Sequence, residues 1–493
     1  MLSARNIENG RIIFDEFRYI SERSFEVENG RTRITPGDIL LTIVGSIGRT
    51  TVVPSDTLTF TLQRSVAVIS VPILYPKFLM YQLQSSPCHQ FFDRNAKGTA
   101  QKGVYLRTIA NLSIIVPSLN EQNQIVSKIE ELFSELDSGI ENLKKAREQL
   151  KTYRQAVLKY AFEGRLTAEW RTLQIQAGSP PDPAEKLLGQ IRKEREKHHQ
   201  QQIAKWKQAV AEWKSNGEKE KKPTRISRPK TLSELTSEET EIYGELPTFW
   251  RWSTFCNVTY KVGDIDHKMP KSFTSGLPYL STGNLKKDGT IDFANAKTIS
   301  KEDFKRLSLK IKPESGDIIF PRYGTIGRNI LINFNKEFLV SYSCAIIKNI
   351  PSLMNDKFVY YYSLSPVIKK EIEKYVVQTT QANIGIASIE NFVFPLCSLL
   401  EQQAVVSEIE SRLSVCDQLE QTIENSLKKA EALRQSILKK AFSGELTKDW
   451  REQNPELISG ENSAEKLLEK IKAEKVRLTD DRKKLRSGRV RKK

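Results

Sequence analysis

Apolar residues recur every seven positions over two long stretches of the chain. Ile129, Leu136, Leu143, Leu150 and Val157 carry the period in the first; Ile409, Cys416, Ile423, Ala430 and Ile437 repeat it in the second. Half-turn neighbours join them: Leu132, Phe133, Ile140 and Tyr153, then Leu413, Leu419, Leu427 and Leu433. Charged residues flank both series. Such seams predict two long coiled-coil helices, over 121–162 and 401–442. At 1.5 Å per residue each is roughly 60 Å long. One helix cannot bury its seam alone. Two within the chain can pair, and the connecting domain suits an antiparallel arrangement; the alternative is pairing with another subunit's helices. Gly164 and Gly444 follow the last turns and read as helix stops.

Ahead of each helix the pattern changes. Residues 1–120 and 246–400 hold short β-like runs such as "DIIFPRY" and "VSYSCAII", broken by Gly and Asn turns. Each also holds a helical stretch, "KFLMYQLQ" (77–84) and "KFVYYYSL" (357–364). This mixture predicts compact α+β domains.

The two halves are one unit written twice. "GDILLTIVGSIGRT" (37–50) returns as "GDIIFPRYGTIGRN" (316–329). "EQNQIVSKIE" (121–130) returns as "EQQAVVSEIE" (401–410), and "RQAVLKYAFEGRLTAEWR" (154–171) as "RQSILKKAFSGELTKDWR" (434–451). "PAEKLLGQIRKE" (183–194) returns as "SAEKLLEKIKAE" (463–474). The last three pairs share one offset of 280, and a constant offset over so long a span means duplication. The expected order is a domain at 1–120, a long helix at 121–164 and a charged helical linker at 165–245. A second domain at 246–400, a second long helix at 401–445 and a basic helical tail at 446–493 follow. Copy two begins near Leu246, whereas the partner of Met1 and Leu2 lies at Tyr279 and Leu280. Copy one therefore lacks about 34 residues that copy two has. The expectation is a shortened first domain, or a true start upstream.

Charge refines the picture. The net charge is +17. Residues 184–230 and 466–493 carry the whole excess, and the rest of the chain balances near zero. The functional reading is a polyanion partner; the plainer one is a solvated helix face and a basic tail. No apolar run reaches the roughly 20 residues of a membrane helix. With no signal peptide in view, the expectation is a cytoplasmic protein without a membrane partner. Cys88, Cys256, Cys344, Cys397 and Cys416 are scattered and read as free thiols. His198 and His199 read as solvated surface, and no metal site is expected.

Catalytic motifs are sparse. There is no GxxxxGK[ST] loop, no strand-GxGxxG-helix unit, no NPPY-type tetrapeptide and no nucleophile-His-Asp set. The expectation is a binding protein without catalysis or cofactor of its own. The Gly-x-Ile-Gly-Arg turn allows close backbone approach, with its N–H groups and Arg49 or Arg328 facing a phosphate. A strand-connecting turn with an exposed Arg is the plain alternative. Copy two has Pro321, Arg322 and Tyr323 where copy one has Thr42, Ile43 and Val44. Arg322 could read a guanine edge, or be a salt-bridged surface residue. The matched polar loops "GTAQK" (98–102) and "QTTQAN" (378–383) align Gln101 with Gln381, and Gln can pair with adenine. The candidate DNA-binding set is Arg49, Gln101, Lys102, Arg322, Tyr323, Arg328, Asn329 and Gln381.

The ordered set "GDI…G.IGR", "EQ", long helix and "AF.G.LT..WR", present twice, resembles the specificity subunits of type I restriction–modification systems (HsdS). "LPTFWRW" (246–252) resembles the entry to that family's target-recognition domains. The resemblance implies two target-recognition domains, each reading half of a split double-stranded DNA site. It implies that the long helices pack antiparallel, separate the domains and dock two modification subunits. Those subunits would bind S-adenosylmethionine and methylate adenine. Restriction subunits using ATP and Mg2+ would cut DNA, and the specificity subunit itself would be non-catalytic. Helix length is then expected to set the gap between half-sites. Two other readings remain at this point: a coiled-coil scaffold without DNA readout, and a self-sufficient DNA methyltransferase. The second would need a methyl-donor pocket.

Overall fold

The computed structural model describes all residues except 9, 99–100, 218–221, 266, 378–381 and 491–493. The chain forms two compact units, one of Met1–Ala146 with Thr422–Lys493, the other of Arg147–Gln421. Each unit therefore contains parts of both sequence copies, which the expected linear order of domains did not suggest.

In unit 1, β1 (Ile7–Glu8) and β2 (Arg11–Ile12) form a hairpin. Strands β3 (Ile39–Thr42), β4 (Thr50–Val52) and β5 (Val66–Ile69) form an antiparallel sheet in the order β4-β3-β5. Ile39, Leu41 and Ala67 bury against Leu79, Met80 and Leu83 of the helix Pro76–Leu83. The "GDI" phrase is a turn lock. Asp38 accepts hydrogen bonds from the Thr35 amide at 2.8 Å and the Thr35 hydroxyl at 2.9 Å, fixing the chain's entry into β3.

Unit 2 repeats this and adds to it. Its strands are β6 (Arg251–Thr254), β7 (Lys261–Gly263), β8 (Leu277–Leu280), β9 (Lys297–Ile299), β10 (Ile318–Pro321), β11 (Ile330–Leu331), β12 (Leu339–Val340), β13 (Cys344–Lys348) and β14 (Val393–Leu396). They form sheets in the orders β11-β10-β13-β7, β12-β8-β9 and β14-β6. Strands β10, β11 and β13 match β3, β4 and β5, while among the described residues β6 and β7 have no counterpart in unit 1. Asp317 repeats the turn lock, accepting from the Glu314 amide at 2.8 Å, and adds the Lys348 ammonium at 2.6 Å.

The long helices run Leu119–Phe162 and Leu399–Phe442, each starting two residues before its expected limit. Each contributes to both units. Within unit 1 they are antiparallel: Glu121 meets Thr447 and Arg451, whereas Asp137, further along, meets Arg434. Within unit 2, Glu401 meets Thr167 and Arg171, and Arg154 pairs with Asp417 at 2.6 Å and Glu420 at 2.9 Å. Ile129, Val157, Ile409, Cys416, Ile423, Ala430 and Ile437 are buried, as the seam required. Leu136, Leu143 and Leu150 are half-buried. Tyr153, Leu419 and Leu433, expected to join the seam, are exposed. A pair of helices covers one stripe on each partner, so residues off that stripe face outward. Gly164 and Gly444 end the helices with φ of 70° and 82°, as a left-handed stop demands.

The segment expected to be a charged linker is built into unit 2. Its helix Ala184–Ser215 buries Ala184, Leu187, Leu188 and Ile191 in the core that holds Trp250, Phe255 and Val258. The returning chain is tied by Arg195 to the Lys230 carbonyl at 2.6 Å, Arg192 to Glu234 at 2.8 Å and Lys230 to Glu390 at 2.6 Å. Part of the basic excess at 184–230 thus serves internal pairing. His198 is half-buried and stacks on Tyr260 with centroids 4.3 Å apart, correcting the solvated-surface expectation. All five cysteines are free, as expected, and buried.

Candidate nucleic-acid interface

The Gly-x-Ile-Gly-Arg phrase joins β3 to β4 in unit 1 and β10 to β11 in unit 2. Gly45, Gly48, Gly324 and Gly327 all have φ between 67° and 93°, a region that side chains rarely adopt. At Gly48 there is also no room: a Cβ would lie 2.6 Å from the His89 ring. Thr42 braces the first turn, its hydroxyl accepting from the Arg49 amide at 2.9 Å and donating to the Ser46 carbonyl.

Each turn is laced to the polar loop that follows the helical stretch. The Gly45 amide donates to the Lys102 carbonyl at 3.1 Å, and the Gly324 amide to the Ala382 carbonyl at 3.1 Å. β-Bridges join Val44 to Gly103 and Tyr323 to Asn383. Two segments that sequence matching treated separately therefore form one rim in each unit.

In unit 1 this rim presents Arg49, Gln101 and Lys102, all exposed. Arg49 reaches the Ile7 carbonyl at 3.4 Å, and the Gln101 amide nitrogen lies 4.0 Å from the Cβ position of Gly45. In unit 2, Arg328 is exposed and Tyr323 half-buried. Gln381 lies outside the described residues.

Arg322 and Asn329 are placed otherwise. Arg322 is only 5 % exposed. Its guanidinium donates to the Tyr342 carbonyl at 3.0 Å, lies 3.5 Å from the Asp264 carboxylate and stacks on the Tyr323 ring at 5.0 Å. Neither a reader of base edges nor a surface ion pair fits this position. Asp264, 58 residues upstream, follows β7, which copy one lacks; copy one accordingly has the apolar Ile43 there. The divergent triplet is therefore largely interior adjustment, not a difference between two exposed loops. Asn329 is buried and donates to the Ser363 carbonyl at 2.9 Å.

Tyr342 and His267 were not singled out in the sequence. Tyr342 makes an edge contact with Tyr323 at 5.8 Å, and exposed His267 lies against Tyr342 at 4.7 Å. His267 opens a stretch with the exposed cations Lys268 and Lys271. The turn residues in a short polar run gave no periodic signal, so only the fold brings them to the rim.

The rims can offer cations, backbone N–H groups and aromatic faces. Among the described residues, no cluster of His, Cys, Asp and Glu could hold a metal. Burial pushes the Cys344 thiol, beneath the unit 2 rim, up to about 12, so it stays protonated and inert. No described helix is long and apolar enough to cross a membrane.

Comparison with known proteins agrees with this layout. The chain is similar to the EcoBI type I restriction enzyme specificity subunit of Escherichia coli, 28 % identical over 391 residues, covering 78 % of this chain and 68 % of that one. It is equally similar to the EcoDI specificity subunit of Escherichia coli, 28 % identical over 411 residues, covering 82 % and 78 %. Its fold resembles a chain solved in work on complex assembly and conformational transition of the type I R-M system. The TM-score is 0.55 at 18 % identity, with 84 % of this chain and 83 % of that one covered. The family described as type I restriction modification DNA specificity domain matches residues 3–148 and 257–429, once in each copy. With that match over most of both repeats, the chain belongs to the specificity-subunit family of type I restriction–modification systems.

Proposed function

We propose that each rim contacts one half of a bipartite double-stranded DNA site. The observation that carries this reading is the matched turn and loop, present once per unit with an exposed arginine at the same position, Arg49 and Arg328. Arg49, Arg328 and Lys102 supply sequence-blind phosphate contacts. Gln101 and Gln381 are candidates for adenine, and Tyr323 with His267 offers aromatic contact in unit 2.

The chain acts without catalysis of its own. S-adenosylmethionine belongs to two modification subunits that methylate adenine, and ATP with Mg2+ to restriction subunits. An apolar groove of about 390 Å³ on the helix pair of unit 1, lined by Leu132, Leu136, Ile140, Leu143, Leu433 and Ile437, supports docking of such a subunit. This work takes place in the cytoplasm.

The test is a binding titration of the assembled complex across salt concentrations. Arg49→Ala and Arg328→Ala should each weaken binding to specific and unrelated duplexes alike, and lower the salt slope by about 1. Gln101→Ala should instead cut binding to the specific duplex alone, by about ten-fold. Unchanged affinity and slope in both arginine variants would remove the rims from the interface. Indifference of the unaltered complex to duplex sequence would favour the scaffold reading.

A further inference from the structure

The helix Ala184–Ser215 begins in the core of unit 2 and ends outside it. Its last buried residue is Arg195, and from Glu196 to Ser215 every residue is half-buried or exposed. What remains on the inside is a narrow stripe. Ile203, Trp206, Val210 and Trp213, spaced three and four apart, are half-buried. The returning chain covers this stripe. The Trp206 indole donates to the Pro223 carbonyl at 3.0 Å, and the Lys222 ammonium lies over the Trp213 ring at 5.8 Å. Helix and returning chain thus form an arm with its own small apolar seam.

Charge is divided along this arm. Near the core, cations pair with carboxylates: Arg192 with Glu234, Lys197 with Glu194, Arg228 with Glu196 and Lys230 with Glu390. Further out the balance changes. Between 200 and 227 the sequence holds seven Lys and Arg against three Glu. Lys205, Lys207, Lys214 and Arg225 are exposed, and none is ion-paired with a carboxylate among the described residues. The described carboxylate of this stretch, Glu212, accepts instead from the Gln208 amide at 3.1 Å. Gln200, Gln201 and Gln208 are exposed beside the cations. Among the described residues, no exposed large apolar side chain lies between 176 and 241.

That combination selects the kind of partner. A protein docking face needs an apolar centre, which this surface lacks. Cations interleaved with Gln suit phosphate oxygens, which Lys, Arg and Gln all contact. The arm also stands close to the rim of unit 2. His198 stacks on Tyr260, just before β7, and Asp264, just after β7, lies 3.5 Å from Arg322. Four steps of extended chain, about 13 Å, separate those two contacts.

We propose that residues 200–227 are a second duplex-binding element, which grips phosphates beside the half-site and reads no bases. Its place beside a half-site rests on the rim reading; its affinity for a duplex does not. Neutralised phosphates release counterions, so the arm adds salt-dependent affinity to any sequence.

The test uses the assembled complex and a long duplex of unrelated sequence. Lys205→Gln, Lys207→Gln, Lys214→Gln and Arg225→Gln combined should weaken binding by about ten-fold or more and lower the salt slope by about 3. The same loss is expected when Arg49→Ala and Arg328→Ala are already present, so failure of the arm and failure of the rims are told apart. Duplex should also slow chemical acetylation of Lys205, Lys207 and Lys214 in the unaltered complex, a readout that no variant's folding can affect. Unchanged affinity and slope, or lysines acetylated equally fast with and without duplex, would overturn the proposal. So would a variant that keeps its duplex affinity but loses a partner subunit, which marks the arm as a face for an acidic protein.

Discussion

At the scale of single residues, carboxylates do most of the fixing, and they do it in matched pairs. Glu401 is fully buried and accepts from the Thr167 hydroxyl at 2.9 Å and from the Arg171 guanidinium. Glu121 does the same for Thr447 at 2.8 Å and Arg451 at 2.6 Å, but its Arg is more exposed. Glu401→Ala should cost about 3 kcal/mol, because it leaves a nearly buried guanidinium unpaired. Glu121→Ala should cost visibly less; urea midpoints of the two variants check the order. Asp317 makes a pH prediction. Burial outweighs the adjacent Lys348 ammonium and pushes its carboxyl up to about 6, from 3.8 unfolded. The folded state thus holds this proton more tightly, and the stability it contributes is full below pH 3.8 and is lost as pH rises through about 6. That loss is on the order of 3 kcal/mol. Asp317→Asn cannot titrate, so its deficit relative to the unaltered chain should be larger at pH 4.5 than at pH 7.5 in denaturant titrations.

At the scale of elements, the turns and the long helices behave differently under substitution. Gly48→Ala must both force a left-handed residue and displace the His89 ring. Gly45→Ala faces only the strain, its Cβ meeting nothing nearer than 4.0 Å. The first should cost about 2–3 kcal/mol and the second about 1–2 kcal/mol. Thermal unfolding of both variants tests the ranking. Much of this level was legible in the sequence. The seven-residue period gave both helices to within two residues, and the matched phrases gave the turns. Arg322 was misread because its partner Asp264 is distant in sequence and no period links them. The reason "EQ" and "LT..WR" recur was equally hidden: each Glu grips the Thr and Arg of the other copy, and a linear repeat shows only that both motifs return. Tyr153, Leu419 and Leu433 fit the helical period but fall off the stripe that a single partner helix covers.

At the scale of the whole molecule, the proposed bipartite reading ties the long helices to DNA spacing. Seven residues inserted in both helices keep the seam in register and lengthen each by about 10.5 Å. On that reading the gap between the two half-sites should grow by about three base pairs, while both half-sequences stay the same. Methylation-sensitive sequencing of cells carrying the altered chain measures it, and an unchanged gap counts against a spacing role for the helices.

Because each unit draws on both repeats, and each buried glutamate is held by the opposite repeat, the peptide bonds between the repeats are not what keeps them together. A chain cut after Gly178, on an exposed stretch, leaves each fragment with half of both clamps and half of both helix pairings. The cores on the helix pairs need both fragments, Ile129 and Phe133 with Leu438 and Ala441 in one and Val157 and Phe162 with Val405 and Ile409 in the other, so separately expressed pieces should associate. Fragment complementation is thus written into the molecule, and so is the exchange of one half for another from a related gene.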